Sequence, residues 1–204
     1  MDNEAYLKHI AAQTRPTPSN RLLSPTIIKL IAGALIALIL IIALGIILNS
    51  ANQRTITVFE RYHLRLQNLS SDSGPLVTYG NTLKSSDLRS LSNTLKTSLT
   101  ATSRDFSAVL ADLNVDITVL SETATTEEAA VIASFEGELR DAQLNGILDR
   151  TFASSTILQI SLLLSLQSEV REKSDNSALT SILDRSDNDL NTLLESFTNY
   201  SNSH

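Results

Sequence analysis

The chain reads as an all-α protein in which one N-terminal transmembrane helix is followed by an antiparallel helical bundle of four to six helices. Three observations predict this. From Leu30 to Leu48 every residue is apolar or Gly. From Leu76 onward, 129 residues contain no proline and only three glycines, at 80, 137 and 146, whereas an all-β domain needs many more turn residues. Across that stretch, apolar residues recur every three or four positions, the helical period.

Residues 1–26 form a short tail. Pro16, Pro18 and Pro25 prevent a continuous helix there, because proline removes a backbone donor and clashes with the preceding turn. The tail is too short for an enzymatic domain, so a docking peptide is the largest role it can hold.

Residues 27–48 are expected to be the transmembrane signal-anchor helix. About 20 helical residues cross a hydrocarbon core of roughly 30 Å, and a lone segment in lipid has to be helical to satisfy its own backbone. The run exceeds the apolar length of a cleaved signal peptide, and the only candidate cleavage patch, Leu48-Asn49-Ser50-Ala51, has a large residue where a small one is wanted. Lys29 stands at its edge, where its stem reaches the headgroups. Gly33 and Ala37 form a small-xxx-small pair, the one candidate transmembrane helix contact and a route to a homo-oligomer; lipid-facing filler is the other reading.

Basic residues flank both ends of the run: Arg15, Arg21 and Lys29 before it, Arg54, Arg61 and Arg65 after it. Lys29 abuts the run, and residues 1–29 hold four basic residues in all. The positive-inside rule therefore predicts the N-terminus inside and residues 49–204 outside the cell membrane.

Residues 49–204 are expected to be the bundle. Ile56, Phe59, Tyr62, Leu66 and Leu69 carry a helix to about Leu69, and the Ser70–Pro75 segment breaks it. A stripe at Leu88, Leu91, Leu95 and Leu99 resumes at Phe106, Val109, Leu113, Ile117 and Leu120. Between them, the Thr100–Asp105 patch is either a break or a polar turn of one long helix. Thr125-x-x-Glu128 has the pattern of a capping box and would open a stripe at Ile132, Phe135, Leu139 and Ala142, with Gly146 marking a bend. Residues 151–168 carry no charge and seven Leu or Ile. Their Ser, Thr and Gln content disfavours a second membrane span, and a helix apolar on most faces belongs in the middle of a bundle. A last helix is expected after Ser174 or Asp175, with Leu179, Ile182, Ser186, Leu190, Leu193, Phe197 and Tyr200 as its stripe. Ser and Thr are 42 of the 156 residues after Leu48. These weak helix formers favour a compact bundle, held by tertiary packing, over an extended coiled-coil rod.

Charge narrows the partners. Residues 1–29 hold four basic and two acidic side chains, a net of +2; residues 49–204 hold 12 basic and 20 acidic, a net of −8. Nucleic acid is disfavoured, because phosphate binding needs clustered Lys and Arg. The chain has no cysteine, which excludes disulfides, thiolate metal sites and cysteine nucleophiles.

No catalytic, cofactor-binding or metal set is expected. The histidines are His9, His63 and His204, and His63 with Glu60 reads as an exposed polar pair one turn apart. The Asp187-x-Asp189-x-Asn191 spacing opens like a calcium loop, but Thr192 and Thr198 stand where that loop needs Gly and Glu. Asp112 and Asp116 read as solvated carboxylates. Asn68-Leu-Ser70 and Asn199-Tyr-Ser201 are sequons, meaningful only in a eukaryotic secretory pathway. The expected function is that of a non-enzymatic, single-pass, membrane-anchored interaction or structural protein. It would have the lipid bilayer and an unidentified protein or envelope component as partners. The alternative is an extracytoplasmic ligand-sensing bundle working with a separate cytoplasmic protein.

Overall fold

The computed structural model describes residues 55–117 and 119–203. The expected tail, the anchor at 27–48 with Gly33 and Ala37, and also His9 and His204, lie outside the described residues. No described helix is long and apolar enough to cross a membrane. Residues 50–204 form one compact unit, which is helical throughout its described secondary structure.

Among the described residues six helices run in order. Residues 55–70 form α1. A turn at 71–74 leads to the single-turn-and-a-half α2, Pro75–Gly80, which starts with a proline where the missing N–H costs nothing. Then follow α3 (Ser86–Asp112), α4 (Glu122–Leu144), α5 (Leu148–Glu172) and α6 (Ser177–Ser203). The Thr100–Asp105 patch lies within α3, one unbroken helix, and Thr102 and Ser103 are buried in it.

The ends carry local chemistry that explains the boundaries. Ser85 and Ser121 accept from the backbone N–H of Leu88 and Ala124, each at 3.3 Å, and Asn176 accepts from Leu179 N at 2.9 Å. These are N-caps, which satisfy the unpaired donors of a first turn. The expected capping box at Thr125 and Glu128 is therefore corrected. The helix begins four residues earlier at Ser121, Thr125 bonds back to the Ser121 carbonyl, and Glu128 points into the interior. At the other end of α4, Gly146 takes φ 73°. Its N–H reaches the Gln143 carbonyl, and that of Ile147 reaches the Ala142 carbonyl, the Schellman closure that a left-handed residue permits. Gly146 thus ends a helix rather than bending one. Asn114, at φ 55°, closes α3 in the same way.

Contacts along the helices give the topology. Asp72 pairs with Lys96 and His63 with Ser107, so α1 runs antiparallel to α3. Ser98 meets Asp189 and Asp105 meets Arg185, so α3 runs antiparallel to α6. Phe152 packs on Phe197 while Gln167 reaches Leu183, so α6 runs antiparallel to α5. Asp149, in the first turn of α5, accepts from Lys84 N and Ser85 N at 3.0 and 2.8 Å, which pins the starts of α3 and α5 side by side. The Tyr79 hydroxyl donates to the Glu136 carbonyl and ties α2 to α4.

The predicted stripes face the core for most of their length, with one correction: the stripe expected to run from Phe106 to Leu120 stops with α3 at Asp112, leaving Leu113 exposed and Ile117 and Leu120 in the connection beyond. Leu88, Leu95, Leu99, Phe106 and Leu110 of α3, Phe135 and Leu139 of α4, and Leu179, Leu190, Leu193 and Phe197 of α6 are buried together. At about 1.5–3 kcal/mol for each large side chain buried, this cluster offsets the weak intrinsic helicity of the Ser- and Thr-rich surface.

The central position is a correction. The helix α5, which holds the uncharged residues 151–168, is a peripheral stave, because Leu158 and Leu162 remain exposed on its outer side. The enclosed helix is α1, where Tyr62, His63, Leu64, Arg65 and Leu66 are buried in succession. Five consecutive residues at 100° each sweep more than a full turn, so α1 has neighbours on every side. They are α3, α4, α6 and the 113–121 connection, whose Ser121 bonds to Glu60.

Candidate functional site

The polar side chains of α1 are the chemistry this fold has taken inside. Phe59 and Tyr62 set the helix in register by meeting Phe106 edge to face, with ring centroids 6.3 and 4.9 Å away. This geometry places the positive ring edge on a negative face. On the turns around them stand Glu60, His63 and Arg65, all buried. The expectation of an exposed Glu60–His63 pair is thus overturned. Along residues 59–66 α1 is covered on most of its circumference, so its polar residues there are mostly buried, whereas Gln67 is exposed.

Arg65 and Glu128 form a buried ion pair between α1 and α4. Arg61 adds a second guanidinium, 3.4 Å from Glu128 and 3.1 Å from the half-exposed Glu127. Glu60 turns the other way and accepts from the Ser121 hydroxyl, the same hydroxyl that caps α4. The first two turns of α4 are therefore held on α1 by two carboxylates, one from each helix. A buried charge needs such a partner, since an unpaired one costs several kcal/mol.

His63 faces α3, its Nδ1 3.3 Å from the Ser107 hydroxyl. Burial pushes its pKa below the ordinary histidine value; a carboxylate partner would raise it. The Ser107 hydroxyl also lies 2.7 Å from the Ser103 carbonyl, the usual back-bond of a helical serine. This is a neutral, structural histidine contact, without the oriented base of a hydrolytic triad. Beside it opens a cleft of about 790 Å³ between α1, α3 and the 113–121 connection, lined by His63, Gln67, Ser107, Val115, Asp116 and Ile117.

A second polar group lies deeper. Tyr62 places its hydroxyl against Ser186, the one polar residue in the α6 stripe. Burial raises its pKa well above the usual phenol range, and neither Ser186 nor Arg171 offsets this. The hydroxyl closes no hydrogen bond of normal geometry. Ser186 donates to Gln167 Oε1 at 3.4 Å, while Gln167 Nε2 donates to the Leu183 carbonyl at 2.5 Å. Near the surface, Arg171 bridges Asp187 and Asp184 at 2.7 and 2.8 Å. The hydrogen bond it donates to Asp187 is the main reason its pKa is raised.

The remaining sequence candidates are dispersed. Asp187, Asp189 and Asn191 lie on continuous helix α6, and Asp112 and Asp116 are exposed around the end of α3. Among the described residues no group of three His, Asp or Glu is placed to hold a metal ion. The buried Arg65–Glu128 pair is what the sequence reading missed. Its only signal was an arginine one position before Leu66, in a helix whose other face was already apolar. Comparison with protein-family models, curated proteins and solved structures finds no match to this chain.

Proposed function

We propose that the chain is a non-enzymatic, single-pass, membrane-anchored interaction protein, with residues 27–48 as the anchor and the bundle displayed outside the membrane to dock a protein or envelope component. The observation that carries this reading is the enclosure of α1. The first described helix after the apolar run is the one that the others surround, so the bundle is built on the segment nearest the anchor in sequence. That arrangement suits rigid display, because α1 is gripped by aromatic packing, a buried ion pair and a cap contact at once. The test is affinity capture with the full-length tagged chain from solubilised membranes, after protease treatment of intact cells has reported which side the C-terminus occupies. Recovery of a stoichiometric envelope partner, with a protease-accessible C-terminus, is expected. A protected C-terminus or an empty capture overturns the reading.

One observation favours the sensing alternative. The cleft beside His63 is bounded by α1 itself, so a ligand seated there touches the helix that follows the anchor in sequence. Thermal shift against a panel of small polar metabolites separates the two readings. A flat response removes the sensor.

A further inference from the structure

We propose that the cleft beside His63 binds a small neutral or cationic molecule that presents an N–H or O–H donor to Nε2 of that histidine. Ser107 fixes which ring nitrogen carries the proton. A serine hydroxyl has one proton to give. That of Ser107 goes to the Ser103 carbonyl at 2.7 Å, so its oxygen, 3.3 Å from His63 Nδ1, is left to accept. Burial keeps the ring neutral at neutral pH. Its single proton therefore sits on Nδ1, and Nε2 carries a bare lone pair.

That lone pair lacks a partner. His63 is only 6% exposed, yet Nε2 meets no hydrogen-bond donor among the described residues. Nor is it sealed in the interior like the Tyr62 hydroxyl. It opens on the cleft of about 790 Å³ that the histidine lines. An acceptor buried without a partner is costly to the fold, and a donor entering the cleft relieves it.

The rest of the lining selects the ligand. Val115 and Ile117 pack against the core and give the cleft an apolar wall. Gln67 and Asn114 add amides, which donate and accept. Asp116 is the only charged side chain in the lining, where neither lysine nor arginine stands. An anion would meet a carboxylate and a lone pair, whereas an amine or amide N–H meets complementary groups at both. A metal ion would find only His63 and Asp116, fewer than the ligands a zinc site needs. The inference rests on the sensing alternative for its purpose and gives that reading a ligand class; the docking reading does not depend on it.

The test uses the full-length chain in detergent micelles with 15N-labelled histidine, of which there are only three; His63→Gln identifies the His63 signals. At pH 7.5 the spectrum should show His63 with Nδ1 protonated and Nε2 unprotonated. Three probes of one size are then titrated: butylammonium, butyramide and butyrate. Expected is a saturable shift of the His63 Nε2 resonance with the first two and none with butyrate. Ser107→Ala takes away the acceptor that holds the proton on Nδ1, and alanine is the better helix former, so the fold is kept. It should weaken butylammonium about five- to tenfold, the worth of one hydrogen bond. A protonated Nε2 in the native chain, butyrate bound as well as the amine, or an undiminished affinity in Ser107→Ala overturns the proposal. So does a resonance that no probe moves, which leaves water alone in the cleft. A thermal shift with some metabolite while the His63 signal stays still defeats this site and leaves sensing standing; no response in either readout removes both.

Discussion

Arg65 on α1 and Glu128 on α4 meet inside the bundle with side chains 2% and 1% exposed, 63 positions apart in the chain. Removing one partner strands the other in a dry interior. Glu128→Ala is expected to cost about 3–5 kcal/mol, while the double replacement Arg65→Met with Glu128→Leu should lose far less, since apolar residues of similar volume often substitute for a buried pair. Urea denaturation of residues 50–204 checks both. A double variant as unstable as the single one would show that the pair does more than neutralise itself.

Phe106 and Tyr62 separate packing from hydrogen bonding at one contact. Phe106→Ala removes the ring that Phe59 and Tyr62 both meet and should destabilise by about 3–5 kcal/mol. Tyr62→Phe deletes a hydroxyl that is buried without a closed hydrogen bond, so it should be neutral or stabilising by about 1 kcal/mol. Thermal melts of the two variants side by side decide it.

Two glycines predict opposite signs. Gly137 lies inside α4 with nothing within 4 Å of an added Cβ, and Gly137→Ala should stabilise by about 0.5–1 kcal/mol through helix propensity. At Gly74 a Cβ would press on the Asn68 carbonyl and Ser71. Gly74→Ala should therefore force open the turn that sends the chain from α1 into α2, and lower the melting temperature.

His63 imposes a pH dependence. Its pKa is lowered in the fold by burial, from the ordinary 6.5. As pH falls through 6.5 the unfolded chain takes up a proton that the folded chain refuses, so stability is lost on acidification and is complete above that value. Melts between pH 7.5 and 5.5 should fall for the native chain and fall less for His63→Gln. Parallel slopes would assign the effect to the carboxylates instead.

Much of the bundle was legible in the chain. Most stripes named from their spacing, from Phe59 to Phe197, face the core, because a three- or four-residue period is a local property that tertiary structure only has to accept; the stripe drawn from Phe106 to Leu120 fails at Leu113, where α3 has ended and the side chain is exposed. Which helix sits in the middle was not legible, and hydropathy pointed to the wrong one. The α5 segment is the most apolar, yet stands outside. By contrast α1, with Glu60, His63 and Arg65, is enclosed because partners distant in sequence, Ser121, Ser107 and Glu128, meet each polar group. Glu128 illustrates the reason. Read locally it completes a capping box with Thr125; only the arrival of Arg65 from another helix makes it an interior residue. The polar gap at Ser186 was visible as a break in a heptad, but its neighbours Tyr62 and Gln167 were not.

The enclosure of α1 also sets an order of assembly. During synthesis α1 leaves the ribosome before any of the helices that surround it, while Ser186, against which Tyr62 rests, arrives almost at the end. Until α6 is made, the eventual centre of the protein is a helix with one side bare. A chain halted before residue 177 would hold all the ion-pair partners of α1 and still lack the wall that closes over it.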